Sequence, residues 1–455
     1  MPPEKAERSA PLFTRSALLR LLIPLVIEQL LLMTVGMADT VMVTTAGEAA
    51  VSGVSLVDNI NILIIQVFSA LSTGGAVVVS QYLGRQDVQS AKTAAKQLLY
   101  IMTAAALLLT GVAMIFREHI LTLIFGQVEP AVMDSAVIYF LLTAAAYPFI
   151  GIYNAGAALF RAMGNSKISM YNTLIVNIIN VSVNALLIYG YRMGAAGAGI
   201  GTLVSRVAAA VLIVILLNHR GNALRIEGLF HVKFSRATVK SILSIGIPNG
   251  MENGMFQIGK LLVLGLITSF GTSAVAANAI AGSIAGILNM PGTAIGLGII
   301  TVVSRCMGAG DPDQAAAYTR KLVGVSYAFM STLSVFLFIT ADFWVSLLHL
   351  SPEAAEMAAL CLRICTAGTV PIWPAAFTLP YSLRAAGDTV YTMIVSLCSM
   401  FVCRVALSYV FASAWGLNLG LAGVWLAMLV DWVARAAFFF SRYRRGKWRS
   451  IKVID

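Results

Sequence analysis

Five carboxylates, Glu28, Asp39, Asp58, Glu252 and Asp431, stand inside long apolar runs of this chain. An acid at bilayer depth costs about 2.5–3.5 kcal/mol on insertion scales, so it faces a cavity or a partner. Asp39 follows Glu28 by eleven residues, and at about 100° per residue that is three helical turns with ~20° of drift, so both share one face about 16 Å apart. Further along, Asn177, Asn180 and Asn184 follow i, i+3, i+7 on one helix face. Their side-chain carbonyls and the Asp39 carboxylate are the hard oxygen ligands that a small cation needs. Asparagines bonding between helices are the plainer reading of the same pattern. A lone carboxylate leaves both a bound cation and a proton open there.

A second polar face carries Asn249, Glu252, Asn253, Gln257 and Lys260 at i, i+3, i+4, i+8 and i+11. Glu252 either gives charge to a cavity or is neutralised by Lys260 or Arg404. Asp431 and Arg435, four apart, read as an ion pair, and Asp58 with Asn61, near a span end, reads equally as a solvated site or as a group facing a cavity or partner. Met33 and Met37, with Met251, Met255 and Met290, would give a cavity a soft wall, and Tyr153 and Trp373 could hold a cation on their faces. Lipid contact or core packing is the competing role for each. No nucleophile motif, phosphate loop or His cluster points to an enzyme: His119, His219, His231 and His349 fall in loops or at span ends. The five cysteines lack metal-ligand spacing and read as small buried hydrophobes, so no cofactor is implied.

The elements that must position these groups follow from composition. Of 455 residues 59% are apolar and 11% charged, with a mean hydropathy of +0.85, far from a soluble domain. The chain is expected to be an all-α integral membrane protein in the bilayer, with spans near 18–44, 52–80, 94–116, 134–160, 168–190, 195–217, 240–269, 274–304, 320–348, 356–384, 391–415 and 419–441. The first run is too long for a signal peptide and reads as a retained span. When loops are assigned to alternate sides, only Arg117 and Arg192 among the loop Lys and Arg oppose the N-terminus. Both termini are therefore expected in the cytoplasm, and the formal charge of +11 is a topology signal rather than a surface for nucleic acid.

The chain also repeats itself. A shift of 224 sets Pro24 on Pro248, Glu28 on Glu252, Gly84 on Gly308 and Asp87 on Asp311; a shift of 223 sets Pro148 on Pro371 and Arg161-Ala-Met-Gly-Asn165 on Arg384-Ala-Ala-Gly-Asp388. The glycines and Asx residues read as helix caps. Residues 1–217 and 240–455 are two six-helix lobes on this reading, joined by a cytoplasmic linker at 218–239. An even number of spans per repeat makes it parallel, an architecture of secondary transporters more than of channels or enzymes.

Asp39-Thr-Val-Met42, Gln81-x-x-Gly84-x-x-Asp87, Arg161-Ala-x-Gly-Asn-Ser-Lys167 and Gly197-x-Gly-x-x-Thr202-x-x-Ser-Arg206 together resemble the multidrug and toxic compound extrusion (MATE) family, in order and over essentially the whole chain. The resemblance implies a V-shaped pair of lobes in the cell membrane that exports organic cations in exchange for Na⁺ or H⁺. By that resemblance Asp39, Asn180 and Thr202 match the family's N-lobe ion site, with Asn184 standing where one branch has Asp. Glu252 matches a cation-site acid of another branch, whose partner acid is replaced here near Trp373. The resulting expectation is a monomeric cation-coupled exporter with an acidic central cavity of Glu28, Glu252, Asn253, Gln257, Met33, Met37, Tyr153 and Trp373. Its rival is a lipid-linked oligosaccharide flippase of the wider superfamily, whose cavity should be rich in Arg and Lys.

Overall fold

The computed structural model describes residues 11–126, 128–226, 234–348 and 350–454. Lys5, Arg8, His349 and the linker residues 227–233, including His231 and Lys233, lie outside the described residues. Twelve long helices follow in order: α1 Arg15–Thr44, α2 Glu48–Gly84, α3 Val88–Phe125, α4 Pro130–Ala162, α5 Ser166–Gly190, α6 Gly194–Leu217, α7 Arg236–Thr268, α8 Thr272–Gly308, α9 Pro312–Ile339, α10 Pro352–Ala385, α11 Thr389–Ala412 and α12 Gly420–Arg444. Eleven are long and apolar enough to cross a membrane; α7, though 33 residues long, is interrupted by Lys240, Glu252 and Lys260. With the backbone amides beyond the first turn bonded inside their own helix, such rods are one of the two structures a bilayer tolerates.

Local chemistry ends these helices where the repeat predicts, with one reassignment. Asp87 accepts from the Ser90 N–H and Asp311 from the Gln314 N–H, both at 2.9 Å, so each caps the helix after the repeated Gly-x-x-Asp. The Ser90 bonds also hold the Asp87 carboxyl below its usual range. Gly164 and Gly387 take the left-handed turn, with φ of +83° and +94°. Gly84 and Gly308 do not; Gln86 and Gly310 are the left-handed residues there, and the two glycines serve packing instead.

That packing joins the halves at the end that carries Phe13 and Val453. A Cβ on Gly84 would strike the Arg305 carbonyl, and one on Gly308 would strike the Gln81 carbonyl; 81 and 305 are themselves repeat partners. Farther in, Gly74 lies on Gly246, while its partner Gly298 lies on Leu22 of α1, again reciprocally. Hydrogen bonds follow the same symmetry: Gln81 donates to the Ala385 carbonyl at 3.1 Å, and Arg305 donates to the Ala162 carbonyl at 2.7 Å. Leu18, Leu21 and Leu25 of α1 share a core with Ile295, Ile299 and Val302 of α8. Two lobes of six helices thus meet about an approximate two-fold axis running along the bundle, as a parallel repeat requires.

Proline and π-helical segments bend the walls between the lobes. Pro24 and Pro248 interrupt α1 and α7 at matching positions. In α10 the segment Pro374–Thr378, and in α11 the segment Ser399–Ala406, run as π-helix, which shifts side-chain register by a residue.

Candidate functional site

A central cavity of about 570 Å³ lies between the lobes, with walls from α1, α2, α4, α6, α7, α8, α10 and α12. Glu28, Tyr153, Glu252, Asn253, Gln257 and Trp373 all line it, as the sequence suggested. Met33 and Met37 do not, and Met37 is 60% exposed. Their phase explains it: they stand roughly 140° and 180° around α1 from Glu28, whereas Leu32 and Val35, about 40° and 20° away, do line the cavity.

Neither acid on the wall is free. Glu28 accepts from the Ser169 hydroxyl at 2.7 Å and has Arg161 at 3.5 Å. Glu252 accepts from Ser396 at 2.7 Å and from Arg384 at 2.6 Å. The partner of Glu252 is therefore neither Lys260 nor Arg404. Arg384 comes from the end of α10 and turns inward over the Tyr381 ring, 5.1 Å away, where its stem is shielded. Because Arg161 and Arg384 are repeat partners, as are Glu28 and Glu252, one ion pair is built twice.

The expected acidic cavity is consequently not what the walls supply. Against Glu28 and Glu252 stand Arg161, Arg206, Lys260, Arg384 and Arg435. Arg435 is held by Asp431 at 2.8 Å, the anticipated i, i+4 pair, with Arg404 on the other carboxylate oxygen at 3.8 Å. Arg206 and Lys260 have no carboxylate within ion-pair distance among the described residues. An acidic stripe on one helix misjudged the sign because the balancing arginines arrive from the ends and interiors of other helices.

The second cluster lies within the first lobe. Asn184 donates to the Asp39 carboxylate at 2.8 Å and to the Asn180 carbonyl oxygen at 3.4 Å. Asn184 thus offers Asp39 its amide; its own carbonyl oxygen is turned toward Gly201, where a Cβ would overlap it, and lacks a partner. Asn177 is not in this cluster, since its amide donates to the Leu31 carbonyl at 2.6 Å and ties α5 to α1. Thr202 reaches the Tyr139 hydroxyl, which donates to Asp58 at 3.0 Å. Asn61 also bonds Asp58, at 3.3 Å, so this pair is part of the same network. Arg206 and Asp58 are both near enough to Asp39 to act on its charge.

Here sequence reasoning missed Tyr139, Arg206 and Ser205, whose hydroxyl accepts from the Asn180 amide at 3.5 Å; in the cavity it missed Arg161 and Arg384. The last two carried a usable signal: the repeat that matched the glutamates also matched the arginines. Among the described residues no group of three or more His, Cys, Asp or Glu is placed to hold a metal ion.

The comparisons with known proteins fall on this same repeat. The family model MatE matches residues 24–186 and again residues 248–410. A probable multidrug resistance protein NorM of Thermotoga maritima is 26% identical over 446 residues, covering 97% of this chain and 94% of its own. The uncharacterized transporter YisQ of Bacillus subtilis is 27% identical over 438 residues, 93% of each chain. Among solved structures, an outward-facing multidrug resistance MATE family transporter of the MOP superfamily superposes with a TM-score of 0.89 at 20% identity, over 96% of both chains. With two tandem matches that begin at Pro24 and Pro248, the chain belongs to the MatE family and is a MATE transporter.

Proposed function

We propose that the protein is a secondary active exporter of small amphipathic organic molecules, coupled to inward movement of Na⁺ or H⁺ at Asp39. The observation that carries this reading is the cavity itself: two repeat-related lobes share its walls, and one end is sealed by the reciprocal Gly84 and Gly308 crossing. A site closed on one side between two matched bodies is what alternating access needs. Residues 1–217 and 240–455 would rock as units about the 218–239 linker. The sealed, basic end would face the cytoplasm, with the protein in the cell membrane as a monomer.

Asp39, Asn180 and Thr202 lie in the first lobe away from the cavity wall, so the ion and the cargo need not occupy the same atoms. Coupling then acts through conformation, the ion binding more tightly to one arrangement of α1, α5 and α6 than to the other. Organic cations as preferred cargo rested on an acidic cavity, which the walls do not supply. The flippase reading draws no support from the relatives, which include a probable multidrug resistance protein. Purified protein in proteoliposomes with an imposed Na⁺ or H⁺ gradient should move a fluorescent amphipathic dye uphill. Movement under neither gradient would overturn the reading.

A further inference from the structure

The second lobe holds an arrangement that ion coupling at Asp39 leaves unused. Three cations surround one aromatic ring: Lys260 Nζ lies 5.4 Å from the centroid of Phe256, and the guanidinium carbons of Arg404 and Arg435 lie 5.5 and 5.2 Å from it. One carboxylate, Asp431, serves two of them. Asp431 accepts from Arg435 at 2.8 Å and from Ser399, stands 3.8 Å from Arg404, and does not pair with Lys260. Arg404 is near enough to Lys260 to repel it. The π-helical segment of α11 carries Arg404 into this group, where its side chain is 14% exposed.

Like charges are not gathered at bilayer depth without something to offset them, because desolvation and mutual repulsion both oppose it. Cation–π attraction to the Phe256 ring offsets part of that cost. That leaves an excess of two positive charges beside the cavity, into which Phe256, Lys260 and Arg435 all project. Next to them Trp373 and Phe377 stack on each other at 5.1 Å, and both line the same cavity. At the repeat shift of 224 the first lobe has Gly36, Asn180 and Val211 in place of these three cations.

From this juxtaposition we infer that Lys260, Arg404 and Arg435 form an anion subsite, which selects cargo bearing a carboxylate on an aromatic body, either as an organic anion or as the acidic arm of a zwitterion. The inference rests on the exporter reading for its meaning but not for its test. The aromatic body lies on Trp373 and Phe377, and the carboxylate approaches Lys260, the cation that lacks a carboxylate partner. Charge-assisted bonds then replace the water that the carboxylate gives up.

Binding of 1-pyrenebutyrate and of its methyl ester to the full chain in detergent micelles tests the subsite without any transport step. The wild type should bind the carboxylate at least about tenfold more tightly than the ester, the scale of one charge-assisted hydrogen bond. Lys260→Gln and Arg404→Gln should each erase most of that ratio, and Lys260→Arg should keep it. Equal affinity of the wild type for acid and ester, or a ratio that survives both glutamine variants, would overturn the subsite. Proteoliposomes that move neither pyrenebutyrate nor a cationic dye under either gradient would instead count against the exporter reading, with the binding result standing.

Discussion

Arg384 lies 2.6 Å from Glu252, 132 residues earlier in the chain, in a contact that the first lobe repeats with Arg161 and Glu28 at 3.5 Å. Both members of the second pair are mostly buried, so removing one charge strands the other. Glu252→Gln should therefore lower the unfolding midpoint in detergent, with a loss on the order of 1–3 kcal/mol, below that of a fully buried pair because the cavity hydrates one side. The double variant Glu252→Gln/Arg384→Gln should recover most of it. Adding Lys260→Gln to Glu252→Gln should recover none.

Ten of the twelve spans match their helices to within about four residues at each end because long apolar runs must bond their own backbone in a bilayer, whereas α3 overruns the expected 94–116 at both ends and α9 begins and ends well before the expected 320–348. Asp431 with Arg435 was legible because i, i+4 neighbours share a helix face. Long-range pairing was not. Nothing in local spacing sends Arg384 to Glu252 rather than Lys260, and only the tertiary path of α10 decides it. Helical phase was available for Met33 and Met37 and excludes them from the wall. The sign of the cavity could not be read from α1 alone, since Arg206, Lys260 and Arg435 enter from three other helices.

The reciprocal glycines give a prediction about turnover. Gly84 and Gly308 each have the opposite lobe's backbone where a side chain would stand, so Gly84→Val must push the lobes apart at the sealed end. Each lobe keeps its own core, and membrane insertion should be normal. Dye transport in proteoliposomes should fall at least about tenfold, since a state that cannot close is lost from the cycle. Gly111, which has open space around it, should tolerate the same change.

Asp431 is the acid whose loss the fold should tolerate least. Its side chain is fully buried, and among the described residues it is the one carboxylate that pairs with Arg435 and Arg404. Asp431→Asn should cost about 3–5 kcal/mol, the scale for breaking a buried pair, and appear as a sharp drop in folded yield and thermal midpoint. A stability equal to wild type would show that water or lipid, rather than Asp431, offsets these arginines.

Orientation is tested by thiol labelling in intact cells, in a background without the native cysteines. A cysteine at Glu129, between α3 and α4, should react with an impermeant reagent, and one at Arg225, after α6, should not. The opposite pattern would place the sealed end outside.

The central claim is that Asp39 couples ion movement to export. Asp39→Asn keeps the shape of the side chain, and Asn184 can still bond it, so folding should survive. An ion drives a conformational change only through different affinity for the two states, and a neutral site offers little of that. The decisive measurement is uphill dye transport by reconstituted Asp39→Asn protein under imposed Na⁺ and H⁺ gradients. The account predicts transport below about a tenth of wild type under both, with cargo binding retained. Near-wild-type uphill transport under either gradient would contradict it.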